Sequence, residues 1–289
     1  MATNITRRVK SLLIKAQKGE VTAPEELIEE YGEMCKDAFR KHFTPRDREW
    51  YLRMSQLGKD LRWQQCDKLG LPQDNKPEDD PWLAMKFFTG DMFECAAVAI
   101  MKLAGIKIEE FQKDVKTTIG GQLIKGSYDV KIDGKIWDVK TASPWAFKNK
   151  FQKGLKALEE KDQFGYVMQL HLYSEADDAE EGGWIVIEKS TGEWHCTKGT
   201  PEKREEYLQQ AEDTIKTLLS TKSKEDIDDA LPLQEETYNR KSTGHYILHD
   251  DYKFFPYKKT LWGDKIIYEQ YVGSVPKWYL NEVEDMFDE

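Results

Sequence analysis

The sequence predicts a mixed α/β fold, a β-sheet flanked by helices, and three observations predict it. Three β-forming runs follow one another between residues 110 and 142, punctuated by Gly120-Gly121 and Asp133-Gly134. Helical patterns precede and follow them, giving the order helix, three strands, helix, strand, helix, which is that of a mixed core. Charged residues make up 33% of the 289 positions and hydrophobic ones 39%, the balance of a soluble globular chain with one large domain or two small ones.

Residues 1–70 read as helical. Ala23-Pro-Glu-Glu-Leu-Ile-Glu-Glu-Tyr places proline and acids at a helix start, and Pro45-Arg-Asp-Arg-Glu-Trp-Tyr-Leu-Arg-Met opens a further amphipathic segment. Residues 71–81 form a polar, proline-rich break. A helix then runs from about Trp82 to Ala104 and ends at Gly105. Strands follow over 110–119, 122–132 and 135–142. Residues 145–175 read as helical, Trp184-Ile-Val-Ile-Glu as a strand, Gly192 as a turn into Trp194-His-Cys-Thr, and 201–220 as a charged amphipathic helix. Residues 221–236 read as a linker, and an aromatic-rich segment leads to the acidic tail Glu282-Val-Glu-Asp-Met-Phe-Asp-Glu289. The expected division is a helical N-terminal extension (1–81), a core (82–220) and a C-terminal extension (221–289). No stretch reaches the ~18 apolar residues of a membrane span. The N-terminus lacks the apolar core of a signal peptide. Cysteines at 35, 66, 95 and 196 show no C-x-x-C spacing, which fits a reducing cytoplasm.

The chemistry concentrates on the second and third strands. Asp-Gly between two alternating runs is the strongest short hairpin signal. A two-residue turn at Asp133-Gly134 pairs Ile132 with Lys135 and Val130 with Trp137, so Asp129 falls opposite Asp138 and Lys140 shares their face. Opposed carboxylates repel one another. A divalent cation between them removes that problem, and Mg²⁺ favours one or two carboxylates completed by water and phosphate oxygens. Charged residues on an exposed strand are common, but here Tyr128, Val130, Ile132, Ile136, Trp137 and Val139 make both strands strongly β-forming. Net charge is −10, yet lysines outnumber carboxylates nearly two to one between Leu103 and Lys156, and half of those carboxylates are Asp129, Asp133 and Asp138. A basic strip around an acidic metal site suits phosphodiester cleavage.

Further candidates flank the hairpin. Glu94 shares a helical face with Ala97, Val98 and Met101, and a carboxylate on an apolar face is costly unless paired or bound to metal. Gln169 and Tyr173 lie one helical turn apart. Trp145, Phe147, Lys148, Lys150, Phe151, Lys153 and Lys156 interleave aromatics with lysines, which suits either a strand-tracking groove or an amphipathic helix with a basic outer face. The five histidines show no metal-ligand spacing. No phosphate-binding G-x-x-x-x-G-K-S/T loop and no G-x-S-x-G are present.

These pieces together resemble the PD-(D/E)xK nuclease superfamily, in its RecB-like exonuclease branch. The matches are Gly90-x-x-x-Glu94, Gly126-x-x-Asp129, Asp138-Val-Lys140 and Gln169-x-x-x-Tyr173, in the branch's order, over about residues 82–190. The resemblance implies a restriction-endonuclease-like core with a C-terminal clasp. It implies that Glu94, Asp129 and Asp138, with the Val139 carbonyl, hold Mg²⁺, for which Mn²⁺ substitutes. Lys140 would orient the attacking water or stabilise developing charge, and Gln169 and Tyr173 would position the strand end. Trp145, Lys148 and Lys150 are the further residues expected to touch DNA. Many relatives carry a four-cysteine iron–sulfur cluster, but here Asp60, Phe255 and Leu261 stand in cysteine slots, so aromatic packing without a cluster is expected. The chain is similar to bacteriophage exonucleases of this group, which implies linear DNA ends as substrate, a single-strand-binding or annealing protein as partner, and no membrane or nucleotide cofactor. An endonuclease or nickase on the same fold, and an inactive DNA-end-binding recombination module, are the alternative readings.

Overall fold

The computed structural model describes residues 2–45, 50–74, 80–269 and 277–280. The chain forms two compact units, residues 1–59 with 80–217 and residues 60–79 with 218–289. Its first five helices are α1 (Ala2–Gln17), α2 (Glu25–Phe43), α3 (Met54–Leu57), α4 (Leu61–Leu69) and α5 (Pro81–Leu103).

The first unit is built on a mixed sheet of five strands, β1 (Glu110–Ile119), β2 (Gln122–Ile132), β3 (Lys135–Ala142), β4 (Glu180–Glu188) and β5 (Trp194–Lys198), in that spatial order. All neighbours are antiparallel except β3 and β4. A parallel pair needs a crossover, and α6 (Pro144–Asn149), α7 (Leu155–Glu159) and α8 (Tyr166–Ala176) supply it. The continuous helix expected over 145–175 is therefore corrected to three short ones. The chain turns at Gly154 and Gly165, whose φ angles of 89° and 75° end any right-handed helix there.

The three leading strands have the bounds their alternation predicts. Asp133 and Gly134, at φ 52° and 73°, form the left-handed two-residue turn that matches strand twist. The register follows: Ile132 pairs with Lys135 and Val130 with Trp137. Val130, Ile132, Trp137, Val139 and Ile185 pack against Ala97, Val98 and Met101 of α5. Each such fully buried side chain stabilises by roughly 1.5–3 kcal/mol. β3 and β4 are covered on both faces, which explains their near-continuous burial from Ile136 to Val139 and from Glu181 to Glu188.

In the second unit α4 is N-capped by Asp60, whose carboxylate accepts from Arg62 N and Trp63 N. Cys66 of α4 is buried with Phe255, Tyr257, Leu261 and Trp262, the last two on α10 (Lys258–Trp262). Asp60 also accepts a 2.9 Å hydrogen bond from the Tyr252 hydroxyl. Phe255 and Leu261, in the expected cysteine slots, are thus packing residues. After α9 (Arg204–Ser220) the chain adds β6 (Leu233–Tyr238), β7 (Lys241–Leu248), β8 (Ile266–Glu269) and β9 (Lys277–Leu280), ordered β6-β7-β9-β8 in the second unit's sheet. Two expectations change here. Residues 60–79 belong with the C-terminal segment rather than with an N-terminal extension ending at 81, because α4 buries its apolar face among C-terminal aromatics. Part of the expected linker 221–236 is strand β6. The acidic tail lies outside the described residues, as do residues 75–79 of the break at 71–81. Among the described residues no helix is long and apolar enough to cross a membrane.

Candidate active site

Antiparallel pairing of β2 with β3 stops at Val130–Trp137, whereas β3 pairs with β4 along its whole length, Asp138 with Trp184 and Lys140 with Val186. The expected opposition of Asp129 and Asp138 is corrected in one respect: they do not form a ladder pair. Asp129 instead turns its carboxylate onto the β3 backbone, where Oδ2 accepts from Val139 N at 2.6 Å. That bond uses a donor the ladder has left free and fixes the carboxylate beside Asp138.

Lys140 completes the cluster. Its Nζ lies 2.7 Å from Asp138 Oδ2 and 3.9 Å from Asp129 Oδ2. Oδ2 of Asp138 thus has the Lys140 ammonium as its partner, while its buried Oδ1 meets no donor among the described residues. Burial opposes the Lys140 charge, but Asp138 and Asp129 outweigh it and hold the amine protonated. Asp129 is pushed up from 3.8 to about 7, first by burial and then by the charge of Asp138. Glu94 is buried on α5, as its helical face predicts, and is pushed up to about 8 by burial and then by Asp129. A 3.0 Å hydrogen bond from Gln112 Nε2 works against that rise.

The Gln169–Tyr173 pair lies as its spacing predicts, with Gln169 Nε2 donating to the Tyr173 hydroxyl at 2.8 Å. Burial, and next the charge of Asp138, raise the Tyr173 phenol, which therefore stays protonated. Its ring lies over β2 at Gly126. A Cβ there would stand 2.5 Å from Tyr173 Cε1 and 2.8 Å from Met54 Sδ, so only glycine admits this approach. Tyr166, on the same face of α8, lies with its ring 5.4 Å from Lys140 Nζ. Sequence reasoning passed over Tyr166, although 166, 169 and 173 share a helical stripe. Gln112 carried no comparable signal; it sits at φ 46° in β1.

Of the two readings of the basic segment after β3, its burial pattern matches the amphipathic helix with a basic outer face. Phe147 and Phe151 are buried and serve the core. Lys150 donates to the Lys161 carbonyl at 2.7 Å. Trp145 is exposed, with Lys161 Nζ 5.3 Å from its ring centre, and Lys148 is exposed. A separate buried network joins α8 to β4: His171 Nδ1 and Arg204 Nε meet Glu181 Oε1 at 2.9 and 2.7 Å. Burial would raise Glu181, yet those two partners hold it down at about 2.

Three observations fit the carboxylates to a divalent cation. Asp138 Oδ1 is buried without a donor, Asp129 is pushed toward protonation by burial and Asp138 and Glu94 by burial and Asp129, and all three donors are hard oxygens. Among the described residues no three His, Cys, Asp or Glu side chains are drawn together as a ready-made cage.

No family model matches the sequence, and no curated protein does. Among solved structures the chain is similar to the one described as the crystal structure of SSO0001, at 18% identity and a TM-score of 0.39, over 67% of this chain and 88% of that one. That likeness is too slight to bear on function.

Proposed function

We propose that the chain is a metal-dependent deoxyribonuclease of the PD-(D/E)xK kind, an exonuclease acting from DNA ends on a restriction-endonuclease-like core. The observation that carries this reading is Lys140 held against Asp138 and Asp129, with the buried Oδ1 of Asp138 left without a donor among the described residues. Asp129, Asp138 and Glu94 would hold Mg²⁺ or Mn²⁺, with the Val139 carbonyl at the adjoining strand position. Once bound, such an ion supplies Lewis-acid polarisation of the phosphate and neutralises developing charge.

The side chains divide the remaining work. Lys140, kept charged by its two aspartates, presents an ammonium to a non-bridging phosphate oxygen, where negative charge grows during attack. The Tyr166 ring beside it limits the water reaching that ammonium. Asp129 is anchored on Val139 N, so the cluster is set before substrate arrives. The Tyr173 hydroxyl, oriented by Gln169, is a neutral donor for a phosphate or sugar oxygen next to the scissile bond.

The test uses linear duplex, linear single-stranded and covalently closed circular DNA, each with Mg²⁺, Mn²⁺ or EDTA, for the wild type and Asp138→Ala. Metal-dependent loss of linear DNA alone, absent from the variant, is expected. Cutting of circles would replace the exonuclease reading with an endonuclease. No cleavage with binding intact would replace it with an end-binding module.

A further inference from the structure

Beyond Gly126 from the carboxylates, the first unit carries a cleft of about 740 Å³. Its walls include Lys41, Tyr51, Arg53, Lys116, Lys125 and Tyr173, with Asp114 the one carboxylate among the lining. The carboxylate–lysine cluster does not account for this concentration of positive charge. Lys41 is committed to Asp91 at 2.6 Å. Arg53, Lys116 and Lys125 make no ion pair among the described residues, so their charge faces the cleft unspent.

The backbone explains why the cleft forms here. β2 pairs with β3 only over its last residues, which leaves its edge open near Lys125. The segment before α3 fills that edge: Lys125 N donates to Leu52 O at 3.4 Å, and Arg53 bridges Lys125 in parallel. Met54 and Leu57, fully buried, hold the segment down. Tyr51 stays 48% exposed, and the Arg53 guanidinium lies 4.2 Å from its ring centre. One face of the ring is thereby covered and stiffened by a cation while the other remains for a flat partner. Tyr173, whose phenol feels the charge of Asp138, is also a wall of the cleft, so one side chain borders both places.

We propose that this cleft holds the single strand of DNA adjoining the scissile phosphate, with Arg53, Lys116 and Lys125 on its phosphates and a base stacked on Tyr51. The inference rests on the phosphodiesterase reading of the neighbouring site. Three cations plus an aromatic face are the components of a groove that tracks one strand. A volume of this order takes a few nucleotides of one strand.

Binding of a fluorescent oligothymidine and of a blunt hairpin duplex would be measured by anisotropy in EDTA, across a salt series, so that no cleavage intervenes. The wild type should prefer the oligothymidine. Lys116→Glu combined with Lys125→Glu should weaken that binding by at least about tenfold. The same pair should flatten the slope of log K against log salt by roughly 1.4, at about 0.7 for each phosphate no longer neutralised. Tyr51→Ala should cost about tenfold at constant slope, and Tyr51→Phe should restore it. Melting temperatures close to wild type would certify the variants as folded. Equal binding by wild type and charge-reversed protein, or tighter binding of the hairpin, would overturn the inference. Cleavage is read separately. A wild type that cuts DNA but binds independently of the cleft sinks the inference alone, and one that binds through the cleft without cutting sinks the nuclease reading alone.

Discussion

Replacing Asp129 by asparagine should stabilise the metal-free protein at alkaline pH. The Asp129 carboxyl is raised from 3.8 to about 7 by burial and by Asp138. A carboxyl raised on folding binds its proton more tightly in the folded chain than in the unfolded one. Its stabilising contribution is therefore complete below the unfolded value near 4 and is lost as pH climbs through about 7. At ~1.4 kcal/mol per pH unit, ionised Asp129 costs ~4 kcal/mol above that range. Asparagine removes the charge while keeping an oxygen for Val139 N, but it leaves the Lys140 ammonium with one anion fewer. A net gain of ~2 kcal/mol at pH 8, or ~4–8 °C in melting temperature for a chain of this size, is the expected balance. Glu94, raised to about 8, extends the wild type's decline in the same direction. The assay is melting temperature against pH from 5 to 9 in EDTA, for wild type and Asp129→Asn. Wild-type stability that rises between pH 5 and 8, or a variant no more stable than wild type at pH 8, would refute the reasoning.

Two other substitutions probe the scaffold. Gly126→Ala should destabilise by ~1–3 kcal/mol, because the new Cβ meets Tyr173 and Met54, whereas Gly90→Ala, with open space around it in α5, should stabilise by ~0.5–1 kcal/mol. Chemical denaturation of both variants checks the contrast in sign. Glu181→Gln should lose ~1–3 kcal/mol at pH 7, because Arg204 keeps only the Glu175 ion pair at 3.7 Å and buried His171 loses its carboxylate partner. With Glu181 held at about 2, the wild type should keep that contribution above pH 4.5 and lose it as pH falls through 2, a step absent from the variant's acid-denaturation curve.

Much of the candidate site was legible because one turn fixes it. Asp133-Gly134 sets the hairpin, the hairpin sets the register, and the register brings Asp129, Asp138 and Lys140 together. Alternation cannot show where a ladder stops, so Asp129's hold on Val139 N could not be read from spacing. Glu94 was legible from its apolar neighbours at helical intervals, but Gln112 comes from a different element at an unusual backbone angle. The basic segment stayed open in the sequence because aromatics among lysines fit a stacking surface and an amphipathic helix equally; Phe147 and Phe151 fill the core, as the second of these requires. The second sheet was hidden for a related reason. β6 and β7 expose most of their residues, so no apolar alternation marks them, and their turn uses Asn239-Arg240 at positive φ without a glycine.

The partnership of α4 with Phe255, Leu261 and Trp262 sets a schedule for the ribosome. Trp63 and Cys66 emerge roughly 190 residues before the aromatics that cover them. At ~5–20 residues per second the helix waits ~10–40 s without its core. During that interval the α/β unit, whose strands end by residue 198, has all the residues it needs to fold. A nascent chain stalled near residue 220 would therefore present a formed carboxylate cluster together with a sticky, unpaired α4. Such a chain is a natural client for a chaperone and an early target for a protease.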